Sequence, residues 1–310
     1  MFRTQAVLLF CMYAMTCLLP AEAASKVRVT LVMKSMANEF FRTMEAGART
    51  HQRSNPDKYE LTATGIDNET DVEKQIKLVE QAISAKTQAI VIAPADSKEL
   101  VPVLKKAIEG GIVVVNIDNK LDDLEMSKKG LNIPFVGPSN RLGARQVGEF
   151  LGKQLSVGDE VAIIEGLSGT VNAQARTAGF REAMEAVGAK IVGIKSGKWE
   201  QALAQDVAAN FLKDYPNLKA FLCGNDSMAL GAVTAVGAAG KTGKVKIVGY
   251  DNIAAVKPML ADGRMLATAD QYGGRQAVFG IELALKTLEE KTPQRVLPPI
   301  VQTPVVLVTK

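Results

Sequence analysis

Cysteine, histidine and tryptophan are scarce in this sequence of 310 residues, which contains three cysteines, one histidine and one tryptophan. Cys11 and Cys17 fall in an apolar N-terminal segment, and removal of that segment would leave Cys223 as the only thiol. An intramolecular disulfide would then be impossible. Cys223 lies in the apolar run AFLC, which predicts a buried structural thiol. Because His51 is the only histidine, nucleophilic or metal chemistry based on histidine has almost nothing to use.

A strong excess of one charge is also absent. The chain carries 37 basic and 33 acidic residues, for a formal net charge of +4, and these residues are scattered without a basic block. Nucleic-acid binding would need such a block or a basic stripe, so no nucleic-acid partner is expected. Hydrophobic residues make up 47% of the chain and charged residues 23%, as in soluble globular proteins. The length suits two domains of ordinary size.

The N-terminus contains an apolar run that ends too early to be a convincing membrane span. It covers residues 6–19, follows the basic Arg3, and is followed by a proline and a small-x-small pattern that ends at Ala23. This order is typical of a secretory signal peptide, so we predict that residues 1–23 are removed and that the protein is periplasmic. A membrane anchor left in place is the alternative, although the run is short for a spanning helix.

Short β-branched runs alternate with helical segments along the rest of the chain. The runs of the first half include VRVTLVM, AIVIAP and VVVNID, and the segment DVEKQIKLVEQAISA has apolar residues at helical spacing. After about residue 140 the alternation starts again, with VAIIEG, AFLCG and KIVGYD among its strands. Such alternation predicts βαβ units and parallel sheet. The predicted fold class is therefore α/β, with two similar lobes.

The two halves also repeat a local pattern. The first half ends a predicted strand in Asp118-Asn119, and the second half ends one in Asp251-Asn252. Taken alone, an Asp-Asn pair after a strand is usually a turn or a helix cap. In an open parallel sheet, however, ligands bind beyond the carboxyl ends of the strands. Two lobes that face each other would point both aspartates into one cleft.

The order and spacing of eight motifs resemble one family closely, over about residues 26 to 310. The motifs are KSMANEFF after the first strand, APADS, VNIDN, GLSGTVNAQARTAGF, SGKWEQ, LCGNDSMALGA, VGYDN and TADQ. They are similar to those of the ribose-type periplasmic sugar-binding proteins that deliver substrates to ABC importers. The resemblance implies the periplasmic binding protein type 1 fold, which has two doubly wound parallel-sheet lobes joined by a three-segment hinge.

The resemblance also implies where the lobes begin and end. The N-terminal lobe would consist of residues 26–138 plus 272–302, and the C-terminal lobe of residues 139–271 plus 303–310. Hinge crossings would then fall near Pro138-Ser139, after Gln271, and around Val301 to Pro304. The implied mechanism is capture of a ligand between the lobes, and the implied partners are a sugar or polyol and an ABC permease of the inner membrane. The protein is expected to be a monomer.

The resemblance implies a set of ligand-binding residues, carried over position by position. They are Lys34, Asn38, Phe40, Phe41, Asp118, Asn119, Arg176, Trp199, Asn225, Asp251 and Gln271. Sugar chemistry agrees with this set, because flat aromatic rings suit the C–H faces of a sugar and planar polar groups suit its hydroxyl rim. The polar neighbours of Trp199 favour a position at the rim of the cleft. Lys34 either reaches the ligand or pairs with Glu39, and the sequence leaves both open.

Three positions depart from the ribose pattern. Ala93 stands where ribose binders carry an asparagine, Asn119 where they carry an arginine, and Trp199 where they carry a phenylalanine. Two lost hydrogen-bonding side chains would leave ribose hydroxyls poorly paired, and unpaired polar groups are unfavourable in a buried site. We therefore expect a monosaccharide or sugar alcohol other than ribose to bind best.

Three other functional classes are alternatives to a transport role. An enzyme is not expected, since Asp118 and Asp251 are already accounted for as hydroxyl acceptors, and the sequence predicts no cofactor and no metal. A sugar-responsive repressor would need a DNA-binding helix-turn-helix at the N-terminus, where the predicted signal peptide lies. A receptor for a small signal molecule in chemotaxis or quorum sensing would use the same cleft, and the sequence leaves that alternative open.

Overall fold

The computed structural model describes residues 26–310, so the predicted signal peptide lies outside the described residues. The strands are β1 (Val27–Ser35), β2 (Tyr59–Ile66), β3 (Ala89–Ile92), β4 (Val113–Ile117), β5 (Phe135–Gly137), β6 (Glu160–Glu165), β7 (Lys190–Ser196), β8 (Ala220–Cys223), β9 (Lys246–Val248), β10 (Thr268–Asp270), β11 (Ile300–Gln302) and β12 (Val306–Val308). The α-helices are α1 (Glu39–Ser54), α2 (Val72–Ser84), α3 (Val101–Glu109), α4 (Asp123–Lys128), α5 (Asn140–Gly152), α6 (Val171–Ala186), α7 (Gln201–Asp214), α8 (Asp226–Ala238), α9 (Lys257–Asp262) and α10 (Gly273–Glu289).

Two parallel sheets form the cores of two lobes. The first sheet has the order β11-β5-β4-β3-β1-β2, and every neighbouring pair in it is parallel. The second has the order β7-β6-β8-β9, also parallel, and a bridge from Val248 to Ala267 brings β10 alongside β9. Both lobes thus repeat one doubly wound order, in which the first strand lies between the second and third. The predicted fold class is confirmed.

The two lobes differ in how their last strand pairs. In the first lobe β11 joins β5 in parallel, whereas in the second lobe β12 pairs with β10 in the antiparallel direction. The chain crosses between the lobes at three places: between β5 and α5, between β10 and α10, and between β11 and β12. The helix α10 returns to the first lobe, where it packs on α1 and β4.

Apolar side chains cover both faces of each sheet. In β3, Val91 faces the helices α1 and α10, whereas Ile90 and Ile92 face α2 and α3. In β6, Ile163 packs with the α5–α6 side and Ile164 packs with the α7–α8 side. Alternate residues of a strand point to opposite faces, so a sheet covered by helices on both faces needs a continuous apolar strand. This is why the strands read as uninterrupted β-branched runs.

Cys223 is fully buried, and burial raises the pKa of its thiol, as expected for a structural cysteine. Within residues 26–310, the structure has no helix that combines the length and the apolarity needed to cross a membrane. The same part of the chain contains no group of three or more histidine, cysteine, aspartate or glutamate side chains placed to hold a metal ion.

Candidate functional site

The first wall of the site is built where β1 gives way to α1. Asn38 caps the helix: its Oδ1 accepts the Phe40 N–H at 3.0 Å, which places the next two side chains on the first turn. Phe40 and Phe41 are 4% and 3% exposed, and their rings meet edge to face with centroids 5.3 Å apart. The edge-to-face contact lets two neighbouring rings share one buried surface.

The close approach of α10 depends on a glycine. A methyl group on Gly273 would overlap the ring of Phe40, so no larger residue fits at the start of α10 without moving that ring. Gly273 is therefore the point at which one of the three crossing segments contacts the aromatic wall.

Lys34 lies at the end of β1, 2% exposed, and its Nζ is 3.2 Å from Glu69 Oε2. Of the two alternatives for Lys34, pairing with Glu39 is wrong, because Glu39 instead accepts the backbone N–H of Ala254, at 2.8 Å. The Lys34 ammonium also lies 5.8 Å from the ring centroid of Phe41. At this distance a cation and an aromatic face attract each other.

Glu69 was not identified from the sequence. Its Oε1 accepts the Asn38 Nδ2–H at 3.1 Å, while its Oε2, within ion-pair distance of Lys34, accepts no hydrogen bond from residues 26–310. The residue follows β2 in the segment DNETD, just beyond the carboxyl end of that strand. Its position at the functional edge of the sheet is the signal that would have identified it.

Both of the repeated aspartates have an unusual, positive φ. Asp118 has φ of 59° and Asp251 has φ of 119°, a region that non-glycine residues rarely adopt. Such conformations cost about 1–3 kcal/mol and cluster at functional sites. Both carboxyl groups are buried, and burial is the main cause that raises the pKa of each, against the opposing effect of the nearby Arg176.

Arg176 is held by three contacts in the second lobe. Its Nε donates to Asn140 Oδ1 at 2.7 Å, and its Nη1 donates to the Gly224 carbonyl at 2.9 Å and to Asp251 Oδ1 at 3.4 Å. The guanidinium lies 3.8 Å from the ring centroid of Tyr250. This stacking fixes the plane of the guanidinium fork, which suits it to donate to a ligand oxygen in a set direction.

Trp199 forms the second aromatic wall, and it is buried. Its side chain is only 4% exposed, so the prediction of a position at the rim of the cleft, made from its polar neighbours, is wrong. The backbone has φ of 68°, and a methyl group on Gly166 would overlap the indole ring. The indole Nε1 has no hydrogen-bond partner among the described residues. The Lys34 ammonium lies 5.6 Å from the Trp199 ring, between the aromatic walls of the two lobes.

Asn225 and Gln271 have different relations to the site. Asn225 caps α8 through Oδ1, which accepts the Met228 N–H at 2.9 Å, and it lines the cavity described below. Gln271 is fully buried, and its Nε2 donates to Asp251 Oδ1 at 2.7 Å. It does not line that cavity, so in this structure its contact with the site passes through Asp251.

Asn119 is likewise outside the cavity lining. Its Nδ2 donates to the Pro94 carbonyl at 3.0 Å, and its Oδ1 accepts the backbone N–H of Asn172 at 3.3 Å. The structure therefore uses both polar atoms of Asn119 within the protein, one of them across the gap between the lobes.

The predicted residues meet around one narrow cavity between the lobes, where about 240 Å³ is free of protein atoms when the solvent at its mouth is included. Nine of the eleven predicted side chains line it: Lys34, Asn38, Phe40, Phe41, Asp118, Arg176, Trp199, Asn225 and Asp251. Glu69 and Asn172 complete the lining. Asn172 lies inside the quoted stretch GLSGTVNAQARTAGF, one turn before Arg176, and that helical spacing is the signal that could have found it.

The lining combines two aromatic walls with two cations and three carboxylates. The first lobe contributes the wall of Phe40 and Phe41, and the second contributes the wall of Trp199. Of the charged side chains, the first lobe contributes Lys34, Glu69 and Asp118, and the second contributes Arg176 and Asp251. Buried carboxylates accept hydroxyl protons and a fixed guanidinium donates, so such a site recognises a small ligand rich in hydroxyl groups. The fold and the site together define a two-lobed solute-binding protein.

Comparison with known proteins gives the family. A model of the periplasmic binding protein domain matches residues 29–292, and the chain belongs to that family, whose members are solute-binding transport proteins. The predicted resemblance is confirmed. A D-ribose/D-allose-binding protein of Pseudomonas aeruginosa is 60% identical over 93% of this chain and 91% of its own. The D-allose-binding periplasmic protein of Escherichia coli is 34% identical over 86% of each chain.

Solved structures agree in fold over nearly the whole described chain. A solute-binding protein of an ABC transporter from Burkholderia multivorans superposes with a TM-score of 0.90 at 59% identity, covering 92% of this chain and 100% of its own. A periplasmic solute-binding protein from Actinobacillus succinogenes with bound D-allose gives a TM-score of 0.86 at 33% identity, covering 92% and 98%.

Proposed function

We propose that this protein captures an aldose of the D-allose type in the cavity between its lobes and delivers it to an ABC importer from the periplasm. The observation that carries the proposal is the position of Asp118 and Asp251, each buried at the end of a strand in its own lobe, with Arg176 beside them. Each carboxylate accepts ligand hydroxyl protons, and each lobe therefore gains contacts only when the ligand is between them.

D-allose and D-ribose are closely related in shape. In the pyranose form, β-D-allose is β-D-ribose with a hydroxymethyl group on C5, so both sugars offer the same pattern of ring hydroxyls to a site. This explains how one site can accept both, as the name of the Pseudomonas aeruginosa relative says of that protein. The chain departs from the ribose pattern at Ala93, Asn119 and Trp199, and two of these departures remove hydrogen-bonding side chains. We therefore propose that ribose binds more weakly than D-allose here.

Binding proceeds by closure. In the open form the charged side chains are hydrated, and a ligand that contacts both lobes shifts the population toward the closed form. We propose that the lobes move as residues 26–138 plus 272–302 and residues 139–271 plus 303–310, about the three chain crossings. The closed form presents a composite surface of both lobes to the permease.

We propose that the protein binds without catalysing a reaction, acts as a monomer, and has no nucleic-acid partner. We also propose that residues 1–23 are removed as a signal peptide during export. Mass spectrometry of the exported protein tests the cleavage, and size-exclusion chromatography with light scattering tests the monomer.

Calorimetric titration of the mature protein tests the ligand assignment. The panel is D-allose, D-ribose, D-glucose and myo-inositol, where D-glucose differs from D-allose only in the configuration at C3. We expect D-allose to bind best, D-ribose more weakly, and D-glucose worse than D-allose, because an inverted hydroxyl leaves a buried polar group unpaired. Equal affinity for D-allose and D-glucose, or tighter binding of D-ribose than of D-allose, would refute it.

A further inference from the structure

Side chains of the first lobe accept hydrogen bonds from backbone N–H groups of the second lobe on two sides of the cavity. On one side, Ser97 Oγ accepts the Val171 N–H at 3.1 Å, beside the bond from Asn172 to Asn119. On the other side, Glu39 Oε1 accepts the Ala254 N–H at 2.8 Å. Glu39 and Ser97 are absent from the cavity lining, as is Asn119. The side chains that accept these bonds thus join the lobes from outside the cavity lining.

The bonds at Val171 and Asn172 complete the first turn of α6. Its own capping residue, Thr170, makes no side-chain bond to the helix, and the Thr170 hydroxyl donates to the Leu167 carbonyl instead. By contrast, α1, α2, α5 and α8 are each capped by a side chain of the same lobe. The first N–H groups of a helix have no partner within it. In α6, two of them obtain side-chain partners only when the lobes are together.

Ser97 and Asn119 form a connected pair on the first lobe. Ser97 Oγ donates to Asn119 Oδ1 at 3.4 Å, and Asn119 Nδ2 is held by the Pro94 carbonyl. The acceptors are thus oriented before closure, by contacts within their own lobe. Both side chains are at most 1% exposed, so water competes little with these bonds in the closed form.

We propose that Glu39, Ser97 and Asn119 form a closure latch, a set of residues that raises the affinity for every ligand of the cavity by stabilising the closed form, without touching the ligand. The proposal rests on the proposed function, because it needs a ligand that binds the closed form. It also gives Asn119 a role at the lobe interface in place of the predicted contact with the sugar.

The latch has a distinctive effect on affinity. A residue that touches the ligand changes the affinities of different ligands by different factors. A residue that acts only on the equilibrium between open and closed forms changes the apparent affinity of all ligands by the same factor, since that factor is the fraction of binding-competent protein. Equal losses for two sugars therefore separate the latch from the binding site.

The two sides of the latch differ in their response to salt. The Glu39 contact is charged and lies at the surface, where salt screens it, whereas the Ser97 and Asn119 contacts are neutral and buried. The affinity loss caused by Glu39→Ala is therefore expected to shrink at high salt, and the loss caused by Ser97→Ala is expected to stay constant. Glu39→Gln keeps an acceptor without the charge, so it is expected to restore part of the affinity.

The experiment combines titration with a distance measurement between the lobes. Dyes on cysteines introduced by Lys77→Cys in α2 and Asn210→Cys in α7 report the closed fraction by single-molecule energy transfer, while the buried Cys223 stays unlabelled. For Glu39→Ala and Ser97→Ala we expect D-allose and D-ribose to lose affinity by one common factor of about 3 to 10 each. We also expect faster dissociation of both sugars and a smaller closed fraction.

Glu45→Ala is the matched control, because Glu45 lies on the same helix as Glu39 but pairs only with Arg49 within α1. Unchanged affinities in the latch variants, or losses that differ between the two sugars, would overturn the latch. Failure of the proposed function has a different signature: the wild type would then respond to no sugar of the panel. In that case the latch is still tested by the closed fraction measured without ligand. If Glu39→Ala and Ser97→Ala have the same closed fraction as the wild type, the latch is overturned.

Discussion

Lys34 and Glu69 form an ion pair, with Nζ and Oε2 3.2 Å apart, at the place where the first lobe meets Trp199 of the second. Each side chain is at most 3% exposed in the closed cavity. A buried charge is tolerated only when it is paired. Each of the two residues therefore needs the other in the closed form, much more than in the open form, where water solvates both charges.

Removal of one partner of this pair is expected to act on binding more than on folding. In Lys34→Met, closure would bury the Glu69 carboxylate without its cation, and an uncompensated buried charge costs about 3–5 kcal/mol. We therefore expect sugar affinity to fall at least about 100-fold. The double variant Lys34→Met/Glu69→Met should recover thermal stability in the presence of a high sugar concentration. Titration of Lys34→Met checks the affinity, and thermal unfolding of both variants with sugar checks the recovery of stability. Wild-type affinity in Lys34→Met would contradict the prediction.

The Arg176–Asp251 contact is expected to be essential for binding. Asp251→Ala or Arg176→Ala removes an acceptor or a donor that lines the cavity and leaves its partner buried without its counter-charge, so we expect no measurable sugar binding in calorimetry. Circular dichroism should still report the native fold. Asp262→Ala, which removes a surface pair with Arg264, is the control and should bind normally. Unchanged affinity in both site variants would refute the site.

Sugar binding is expected to weaken as the pH falls. Burial raises the pKa of Asp118 and, more strongly, that of Asp251, whereas a hydroxyl-accepting carboxylate must be ionised. Protonation therefore competes with the ligand at pH values above the ordinary aspartate pKa of 3.8. Titrations from neutral pH downward, in buffers of different ionisation enthalpy, should show falling affinity with proton release on binding. A dissociation constant that stays flat down to about pH 4 would contradict this.

Gly166→Ala is expected to disturb the second aromatic wall. The added methyl would overlap the Trp199 ring, and overpacking of this kind costs about 1–3 kcal/mol. The emission of Trp199, the only tryptophan of the chain, should shift, and sugar affinity should fall. Gly169→Ala, in the same loop, is the matched control because no atom lies within 4 Å of its added methyl. The prediction is wrong if both variants give wild-type spectra and affinities.

Asp226 is expected to make stability depend on pH. Burial raises its pKa to about 6, despite bonds from Thr268 and the Ile253 N–H. Its folded pKa lies above the unfolded value, so the folded state binds more protons, and the free energy of unfolding falls as the pH rises from about 4 to about 6. Relative to Asp226→Asn, the wild type should lose about 3 kcal/mol over that range. If the free energies of unfolding of the wild type and Asp226→Asn differ by the same amount at every pH, Asp226 does not have this role.

Much of the architecture was accessible from the sequence because it depends on local patterns. Continuous β-branched runs such as VVVNI predict strands covered on both faces, and their alternation with helices predicts parallel sheet. The repeated Asp-Asn pattern correctly placed Asp118 and Asp251 at the same kind of strand end, where the structure gives both a positive φ. The wall of Phe40 and Phe41 was implied by the resemblance to sugar-binding proteins, with which the chemistry of sugar C–H faces agrees.

Contacts made by long side chains were harder to predict. The sequence placed Glu39 near Lys34, five residues away, but β1 and α1 direct the two side chains apart, toward Glu69 and Ala254 respectively. The burial of Trp199 depends on the glycine beneath it and on the opposite lobe. Neither feature leaves a signal within the neighbouring residues.

The two α/β lobes and the edge of each sheet that carries the site follow from the sequence, because hydrophobic periodicity and strand ends are set over a few residues. Most of the lining side chains were implied by the motifs shared with sugar-binding proteins. Three features became visible only in the folded chain: the partner of Lys34, the contact of Glu39 with the second lobe, and the place of Asn119 at the lobe interface. The physical reason is that each of these bonds joins segments brought together by the fold and by closure of the lobes. Their geometry exists only once those surfaces meet.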